Sequence, residues 1–337
     1  MADKMHGFGL GVISENAKGA ILDVFYPTPL GDVTGPLSDA VSGVCGRLDR
    51  SDLKTLANNA RSAGDEALAA LSDRLSESPV SVVASSLAVN VAPVSVEDAY
   101  LKLHMLSHRL VKPHGTDLTG VFGLLPNVAW TDEGPIDLSE LAERQLSARL
   151  KGKVLEVASV DKFPKMTNYV VPEGVRIAHS ARVRLGAYLG AGTTVMHEGF
   201  INFNAGTAGP GMVEGRISAG VMVGKGSDLG GGCSTMGTLS GGGNMIISVG
   251  EECLIGANAG LGIPLGDRCT IEAGLFITAG TKVTVLDDAK QAVETTAARY
   301  LAGRSDLLFR RNSQSGSVEC LTNKTAIELN ESLHAHN

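Results

Sequence analysis

The sequence is poor in aromatic side chains and has no long apolar run. Phe, Trp and Tyr make up only 4% of its 337 residues, whereas glycine occurs 42 times. This composition favours a core of closely stacked small turns over one of packed aromatic rings. No apolar run approaches the roughly 18 residues of a membrane span, and residues 1–25 lack a signal-peptide pattern. We therefore expect a cytoplasmic protein that is neither exported nor inserted into a membrane.

Basic runs and paired cysteines are also missing. The net charge is −7 and no long basic stretch occurs, which argues against nucleic acid or an anionic membrane as the main partner. The cysteines are odd in number and lack Cys-x-x-Cys spacing; they are Cys45, Cys233, Cys253, Cys269 and Cys320. Buried thiols in a reducing compartment explain them better than disulfides or a zinc site.

What the sequence does have is a six-residue repeat of aliphatic side chains between Val171 and Val283. The first register comprises Val171, Ile177, Val183, Leu189, Val195, Ile201, Ile217, Val223, Leu229, Leu265, Ile271, Ile277 and Val283. A second register comprises Val249, Ile255 and Leu261, with Cys253, Ala259 and Leu265 four residues after each of them. Both registers can point inward, and this periodicity is typical of a parallel β-helix with three strands per turn.

The span holds roughly six such turns, each burying its aliphatic edge against its neighbours. The alternative is a series of short sandwich strands. It is disfavoured because period-two alternation fails within each hexapeptide while the six-residue spacing persists.

The regions on either side of the repeat predict a mixed architecture. Residues 1–150 form an N-terminal α/β domain, residues 151–170 lead into the coil at 171–285, and 286–337 form a C-terminal extension. The predicted strands are residues 7–26, 79–91 and 119–130. The predicted helices are 52–75 with a break near Gly64, 95–111, 139–150 and 287–301, followed by a strand and turn at 307–313 and a frayed end at 330–337.

His104 and His108 lie four residues apart on a predicted helix and could share a metal ion. No Glu of an HExxH motif lies between them. A packed or solvated helix face is the better explanation.

Two irregular stretches of the repeat are candidate functional sites. Ile201 and Ile217 are sixteen residues apart, which is not a multiple of six, so residues 202–213 are expected to leave the coil as a loop. Glu198 and Glu214 each precede a glycine beside this segment. The second stretch, residues 230–243, includes Gly231, Gly232, Gly241, Gly242 and Gly243, which would leave a ligand room along the wall or would form only tight turns.

Three long blocks carry a specific family resemblance. They are Thr194 to Thr207 (TVMHEGFINFNAGT), Met212 to Gly220 (MVEGRISAG) and Leu307 to Ser313 (LLFRRNS). The chain resembles tetrahydrodipicolinate N-succinyltransferases, in particular the branch found in actinobacteria and some pseudomonads. The resemblance runs the length of the chain and is weakest in the first 150 residues.

The resemblance implies a left-handed parallel β-helix with an N-terminal α/β domain and a short C-terminal extension. It implies a homotrimer with active sites in the grooves between neighbouring coils. The implied reaction transfers succinyl from succinyl-CoA to the amine of the acyclic form of tetrahydrodipicolinate, in the diaminopimelate route to lysine.

The resemblance also places the catalytic carboxylate at Glu214. Acyl transfer to an amine requires removal of a proton, which a partly desolvated carboxylate could accept as general base. The family is also described with this carboxylate attacking the thioester to form a mixed anhydride. The sequence leaves both mechanisms open, as well as a role for Glu214 as a turn residue only.

The succinyl-CoA site implied by the resemblance is lined mainly by small and charged residues. Its members are Arg216, Gly231, Ser234, Ala257, Glu272, Ala273, Gly280 and Arg310. Glycine and alanine admit the thin pantetheine arm, and an arginine is suited to the succinyl carboxylate or to a CoA phosphate.

Glu198 matches a family position that can hold Mg²⁺ on a trimer axis, where three carboxylates would supply oxygen ligands. Relatives carry an aspartate just before the Arg-Val-Arg-Leu-Gly run, whereas this chain has Ala181 there. Such a metal would be structural rather than catalytic.

Four alternatives compete with this hypothesis. The enzyme could use acetyl-CoA or another acceptor, or use His197 as the base in a different hexapeptide acyltransferase. A γ-carbonic anhydrase shares the coil but requires three histidines, and the coil contains only His179 and His197. A non-catalytic trimeric scaffold would need none of the paired Glu blocks.

Overall fold

A computed structural model describes residues 4–237 and 245–322, which form two compact units. The N-terminal unit contains the described residues up to Val111, together with Gly115–Pro164 and Asn168–Val170. The coil unit contains Lys112–His114, Lys165–Thr167 and the described residues from Val171 onward. Gly241, Gly242, Gly243 and the predicted frayed end at 330–337 lie outside the described residues.

The N-terminal unit combines two antiparallel sheets with helices. In chain order its elements are β1 (Met5–Glu15), β2 (Ile21–Phe25), β3 (Leu30–Val33), α1 (Gly35–Val41), β4 (Gly46–Leu48), α2 (Arg50–Ser62), α3 (Glu66–Ser76), β5 (Val82–Leu87), α4 (Val96–Ser107), α5 (Val121–Leu124), β6 (Val128–Thr131), β7 (Gly134–Asp137), α6 (Leu138–Leu150) and β8 (Val157–Asp161). The larger sheet has the order β2-β1-β5-β4, with β3 also paired to β1, and the smaller has the order β7-β6-β8.

Glycines in β1 allow large side chains to lie directly on this sheet. A Cβ at Gly9 would stand 2.7 Å from the Tyr26 ring and 2.8 Å from Leu101 in α4. Tyr26 and Leu101 are themselves fully buried. The glycine-rich alternation of the first strand therefore reflects close packing of α4 against the sheet.

The helix predictions in this unit are confirmed with small shifts. The predicted break at Gly64 separates α2 from α3, where Gly64 has a φ of 86°. Asp49 caps α2 by accepting hydrogen bonds from the Ser51 and Asp52 backbone N–H groups. The predicted strand at 119–130 is partly wrong, because the short helix α5 occupies its first half.

His104 is a packed core residue rather than a metal ligand. Its Nε2 accepts a hydrogen bond from the Tyr26 backbone N–H at 3.2 Å, so its Nδ1 is the donor to the Tyr100 carbonyl oxygen at 2.8 Å. Both ring nitrogens are thus occupied and the ring is held neutral. Burial lowers the pKa of His104 to about 3, and His108, stacked on it at 6.0 Å between centroids, also has a lowered pKa because of burial.

The coil unit is a left-handed parallel β-helix, as predicted, built from very short strands. They are β9 (Arg176–Ile177), β10 (Ala187–Leu189), β11 (Thr193–Val195), β12 (Phe200–Ile201), β13 (Ala205–Thr207), β14 (Gly211–Val213), β15 (Arg216–Ile217), β16 (Met222–Val223), β17 (Asp228–Leu229), β18 (Ser234–Thr235), β19 (Ser248–Val249), β20 (Leu254–Ile255), β21 (Gly260–Gly262), β22 (Thr270–Ile271), β23 (Phe276–Thr278), β24 (Lys282–Leu286), β25 (Ala292–Ala297), β26 (Leu307–Arg311) and β27 (Val318–Thr322). Short 3₁₀ turns lie at Met166–Asn168, Ser180–Arg182 and Ala298–Leu301.

Three parallel sheets form the walls of the coil. The first wall stacks β9, β11, β14, β17, β20 and β22, and the strands β26, β27, β24 and β25 extend it. The second wall stacks β12, β15, β18, β21 and β23, and the third stacks β10, β13, β16 and β19. Six stacked strands in the first wall agree with the predicted number of turns.

The inward column predicted from the six-residue spacing forms the core of the coil. Its members from Val183 to Val283, including the second register at Val249, Ile255 and Leu261, are buried. Ile177 is half-buried. The prediction that Val171 points inward is wrong, because 64% of this residue is exposed. The buried column therefore begins later than the spacing suggested.

The loop predicted at residues 202–213 does not exist. Ile201 pairs with Ile217 across adjacent turns, and β13 and β14 between them belong to the walls. The sixteen-residue spacing is one full turn whose last step, from Val213 to Ile217, takes four residues instead of six. The extra residues of the coil lie instead between Thr235, which pairs with Leu261, and Val249, which pairs with Val223.

The predicted helix at 287–301 is also wrong. Residues Ala292–Ala297 form β25, which pairs antiparallel with β24, and only Ala298–Leu301 makes a 3₁₀ turn. Threonines in Glu294-Thr295-Thr296 favour an extended backbone, and pairing with β24 overrides the helical spacing. The strand predicted at Leu307 is confirmed as β26.

Membrane-spanning helices and disulfides are both absent from the described part of the chain. None of its helices combines the length and apolar character needed to cross a bilayer. All five cysteines are free thiols, of which Cys45 is exposed and four are buried.

The buried column should dominate the stability of the coil. Val195→Ala removes two enclosed carbon atoms and is expected to lower the free energy of unfolding by about 2 kcal/mol. The same change at the exposed Val171 should have an effect below about 0.5 kcal/mol. Urea unfolding at one fixed protein concentration measures both, and equal losses would contradict the assignment of the core.

The neutral His104 should make the N-terminal unit sensitive to acid. In the unfolded chain the His104 imidazole is protonated below its ordinary pKa of 6.5, whereas in the folded chain it stays neutral down to about pH 3. The stabilising contribution is therefore complete above pH 6.5 and is lost on acidification, by about 1.4 kcal/mol per pH unit between these values. Urea titrations at several pH values, followed by the fluorescence of the single tryptophan, Trp130, should show a shallower pH slope for His104→Gln. Parallel curves for the two proteins would show that His104 is already charged in the fold.

Candidate active site

The register of the first wall aligns six residues along one edge of the coil. The pairs Val195–Val213, Val213–Leu229, Leu229–Ile255, Ile255–Ile271 and Ile271–Phe309 fix this alignment. The residues that follow these strand positions are Met196, Glu214, Gly230, Gly256, Glu272 and Arg310, which we call the edge row. Backbone hydrogen bonds of 2.8–2.9 Å connect each of the first five members to the next strand of the wall.

The middle of the edge row contains only glycine because the turns approach each other closely there. A Cβ at Gly230 would stand 2.8 Å from the Ala257 backbone nitrogen, and one at Gly256 would stand 2.5 Å from that of Ala273. The residues that follow Gly230, Gly256 and Glu272 in the sequence are Gly231, Ala257 and Ala273. The edge therefore has a shallow floor of small residues bounded by charged ones.

Glu214 stands at one end of this floor. It occupies the four-residue corner between β14 and β15, and its backbone N–H donates to the Leu229 carbonyl oxygen at 2.8 Å. Its side chain is half-buried, and its Oε2 would lie 3.6 Å from a Cβ at Gly231, the single close neighbour of that position. Among the described residues the Glu214 carboxylate makes no hydrogen bond or ion pair. It is therefore available to a ligand lying over Gly231.

The second wall begins directly beside Glu214. Arg216 is exposed and lies opposite the half-buried Ser234 on the neighbouring strand. A cation two residues from the Glu214 carboxylate gives this corner groups of both signs, so it can receive an amine and a carboxylate together.

Arg310 stands at the other end of the floor and does not have a free charge. Its Nε and Nη2 both lie 2.9 Å from Oε2 of Glu319. Next to it, the Arg311 backbone N–H donates to Glu272 Oε2 at 2.7 Å. Strands β26 and β27 thus extend the first wall and place a guanidinium four strand spacings from Glu214, roughly 19 Å away.

Cys233 lies beneath the Glu214 corner and cannot serve as a nucleophile at neutral pH. It is fully buried, and a Cβ on Gly215 would stand 2.3 Å from its Sγ. Burial raises the pKa of Cys233 to about 12, and the nearby Arg216 charge only partly offsets this. The thiolate needed for attack is therefore not populated.

Glu198 and His197 occupy the same corner of the coil one turn before Glu214. Both are exposed, and 83% of the Glu198 side chain is open to solvent. Arg182 lies 4.0 Å from its carboxylate. One chain supplies a single carboxylate here, and within residues 4–237 and 245–322 no three His, Cys, Asp or Glu side chains cluster as a metal site.

Most of the residues singled out from the sequence therefore lie along one edge. Glu214, Gly231, Ala257, Glu272, Ala273 and Arg310 lie on or beside the edge row, and Arg216 and Ser234 lie on the adjoining wall. Gly280 does not lie on this edge. Ala273 precedes β23 and Gly280 follows it, so the two residues lie at opposite edges of the second wall. Glu319 was missed, although the spacing of β26 and β27 around the Asn312 turn could have shown that it lies opposite Arg310.

Comparison with known proteins gives two family matches on separate parts of the chain. Residues 125–165 match the middle region of tetrahydrodipicolinate N-succinyltransferases. Residues 246–279 match the hexapeptide repeat of succinyl-transferases.

Full-length relatives give the same result. The chain is 63% identical to the 2,3,4,5-tetrahydropyridine-2,6-dicarboxylate N-succinyltransferase of Pseudomonas aeruginosa, over 100% of both chains. It is 57% identical to the enzyme of that name from Vibrio cholerae, over 98% of each. A crystal structure of a putative N-succinyltransferase from Campylobacter jejuni superposes with a TM-score of 0.86 at 33% identity, covering 97% of this chain and 94% of that one.

Proposed function

The chain belongs to the tetrahydrodipicolinate N-succinyltransferase family, and we propose that it transfers succinyl from succinyl-CoA to the amine of acyclic tetrahydrodipicolinate. The products are N-succinyl-2-amino-6-oxopimelate and CoA, in the diaminopimelate route to lysine. The edge row supports the placement of this reaction in the structure, because it has an unpartnered carboxylate, Glu214, at one end and a guanidinium, Arg310, at the other.

The donor lies along the edge row in this proposal. Its thioester is placed at Glu214, its pantetheine arm crosses Gly231, Ala257 and Ala273, and its phosphates reach Arg310. The small side chains support this path because a narrow flexible arm needs a shallow floor. The roughly 19 Å between the two ends suits an extended cofactor arm.

Glu214 is the catalytic carboxylate in this proposal. As general base it accepts a proton from the acceptor amine while nitrogen attacks the thioester carbonyl carbon; the carbon–sulfur bond then breaks and the proton passes to the CoA thiolate. As nucleophile it would instead attack the thioester carbonyl carbon, break the carbon–sulfur bond and release CoA thiolate, which leaves a glutamyl–succinyl anhydride. The amine then attacks the succinyl carbonyl of this anhydride, the Glu214 carboxylate is released, and the amine proton passes to the CoA thiolate. Both mechanisms use the position of its carboxylate over Gly231.

Arg216 and Ser234 are assigned to the substrate end of the site. Arg216 is exposed beside Glu214 and is suited to a carboxylate of the succinyl group or of the acceptor. Glu272 and Ala273 lie where the arm would pass. Gly280 is kept as a binding residue only on the family resemblance.

The assembly proposed for this chain is a homotrimer in the cytoplasm. The open edge of the coil supports it, because a donor on a shallow floor needs a second wall to enclose it. Light scattering should then give three times 34.9 kDa.

The proposal extends to a magnesium ion on the axis of that trimer. The exposed Glu198 carboxylate fits a hard cation only if three copies converge, and the neighbouring Arg182 opposes it. Elemental analysis after dialysis would test for one metal ion per three chains.

Glu214→Gln should abolish most of the activity without unfolding the coil. Loss of the carboxylate should lower kcat by about 10²- to 10⁴-fold in a coupled assay of CoA release. Glu198→Gln makes the same change in the same corner and His197→Asn removes the alternative base, and both should keep kcat within about threefold of the wild type. Full activity in Glu214→Gln, or its loss in His197→Asn, would move the chemistry elsewhere. Trapping with hydroxylamine separates the two mechanisms, since only the anhydride yields a glutamyl hydroxamate.

The donor assignment predicts a preference for succinyl-CoA over acetyl-CoA. A site whose arginine binds the donor carboxylate should favour succinyl-CoA by on the order of 10²-fold or more in kcat/KM with the same acceptor. Mass spectrometry of the acylated product measures both rates in competition. Faster acetyl transfer would identify the enzyme as an acetyltransferase of the same fold.

A further inference from the structure

We propose that Glu319 is a positioning residue of the succinyl-CoA site, which holds the Arg310 guanidinium at the end of the edge row. This inference rests on the proposed function, because it takes Arg310 as a ligand of the donor. Glu319 itself belongs to none of the blocks that carry the family resemblance.

A chain of short contacts connects the turn of the C-terminal hairpin to the guanidinium. Arg310 in β26 lies directly opposite Glu319 in β27. Oε2 of Glu319 accepts a hydrogen bond from Nε of Arg310 at 2.9 Å, and the same oxygen forms an ion pair with Nη2 at 2.9 Å. Its other oxygen, Oε1, accepts from Asn312 Nδ2 at 2.7 Å, and Asn312 Oδ1 is in turn fixed by the backbone N–H groups of Gln314 and Ser315 at 3.0 Å.

The two side chains differ in exposure in a way that suits this role. Only 9% of the Glu319 side chain is exposed, whereas 36% of the Arg310 side chain is. The hydrogen bond from Asn312, together with the hydrogen bond and the positive charge of Arg310, lowers the pKa of Glu319, so this carboxylate stays ionised in any neutral assay. The buried Glu319 carboxylate thus holds the Nε and Nη2 side of the Arg310 guanidinium in place.

The pairing leaves part of the guanidinium available to a ligand. A guanidinium has five N–H donors, and Glu319 accepts the hydrogen bond from Nε while it also forms an ion pair with Nη2. Among the described residues, no oxygen accepts a hydrogen bond from Nη1 or Nη2 of Arg310. Phosphate accepts two parallel hydrogen bonds from such a fork, and a fork already held in place loses less rotamer freedom on binding.

The hairpin has other attachments that do not involve Glu319. Phe309 is fully buried in the core, and its carbonyl oxygen accepts from the Glu272 N–H at 2.9 Å. Backbone pairing joins β26 to β22 and to β27. Removing the Glu319 side chain should therefore release Arg310 while the hairpin remains docked.

Steady-state kinetics of a double-mutant cycle tests this role. Glu319→Ala should raise KM for succinyl-CoA on the order of 10-fold while kcat stays within about twofold, and Arg310→Ala should raise it at least as much. The double variant should be no worse than Arg310→Ala alone, because Glu319 acts through Arg310. Glu319→Gln keeps a hydrogen-bond acceptor and should recover part of the loss. Glu294→Ala, an exposed glutamate on β25, is the matched control and should leave KM unchanged.

Three results would overturn the inference. Equal effects of Glu319→Ala with and without Arg310 would show that it acts elsewhere. A lower KM would show that Glu319 merely neutralises Arg310, and a fall in kcat together with the thermal midpoint would show a structural role. The wild-type assay keeps the two proposals apart: no turnover with succinyl-CoA refutes the proposed function, whereas normal turnover with an additive cycle refutes only the role of Glu319.

Discussion

The close stacking of parallel turns is the constraint on which the site depends. Successive strands of the first wall are joined by backbone hydrogen bonds, so the residue after each strand must fit against the next turn at one strand spacing. At Gly230 and Gly256 a Cβ would meet backbone atoms at 2.8 and 2.5 Å, and no larger residue fits there without displacement. The same packing that holds the coil together thus produces a smooth edge.

The two ends of this edge escape the constraint for different reasons. Glu214 lies in a corner shortened to four residues, where its side chain turns outward over Gly231. Arg310 belongs to the C-terminal hairpin that continues the first wall, and it is held by a buried partner, Glu319. A rigid floor with a carboxylate at one end and a guanidinium at the other fixes the distance between them, and a rigid scaffold of this kind is suited to positioning substrates.

The inner face of the coil could be predicted from the sequence, because the residues that recur at the six-residue spacing are the ones that are buried. Aliphatic residues from Val183 to Val283 recur with the period of the strands, and nearly all of them point inward. The six-residue spacing gave a wrong loop at residues 202–213, where one turn has sixteen residues. Periodicity alone cannot distinguish a shortened corner, such as the one at Glu214, from a loop. The helix predicted at 287–301 failed because pairing with β24 decides that segment, and local spacing does not show a strand's partner.

The candidate site was predictable only in part for a similar reason. The sequence blocks shared with the family identified Glu214, Arg216 and Arg310 as candidate site residues. The alignment of Glu214 with Arg310 could not be predicted, because it follows from the strand register of the first wall between β14 and β26. Glu319 lies outside every block, and its pairing with Arg310 becomes visible only when β27 is seen opposite β26.

A crystal structure of the enzyme with succinyl-CoA bound tests the central claim most directly. It should show the thioester carbonyl within hydrogen-bonding reach of the Glu214 carboxylate, the pantetheine arm over Gly231 and Ala257, and a CoA phosphate at Arg310. A donor bound along either of the other two edges, with Glu214 facing empty solvent, would contradict it.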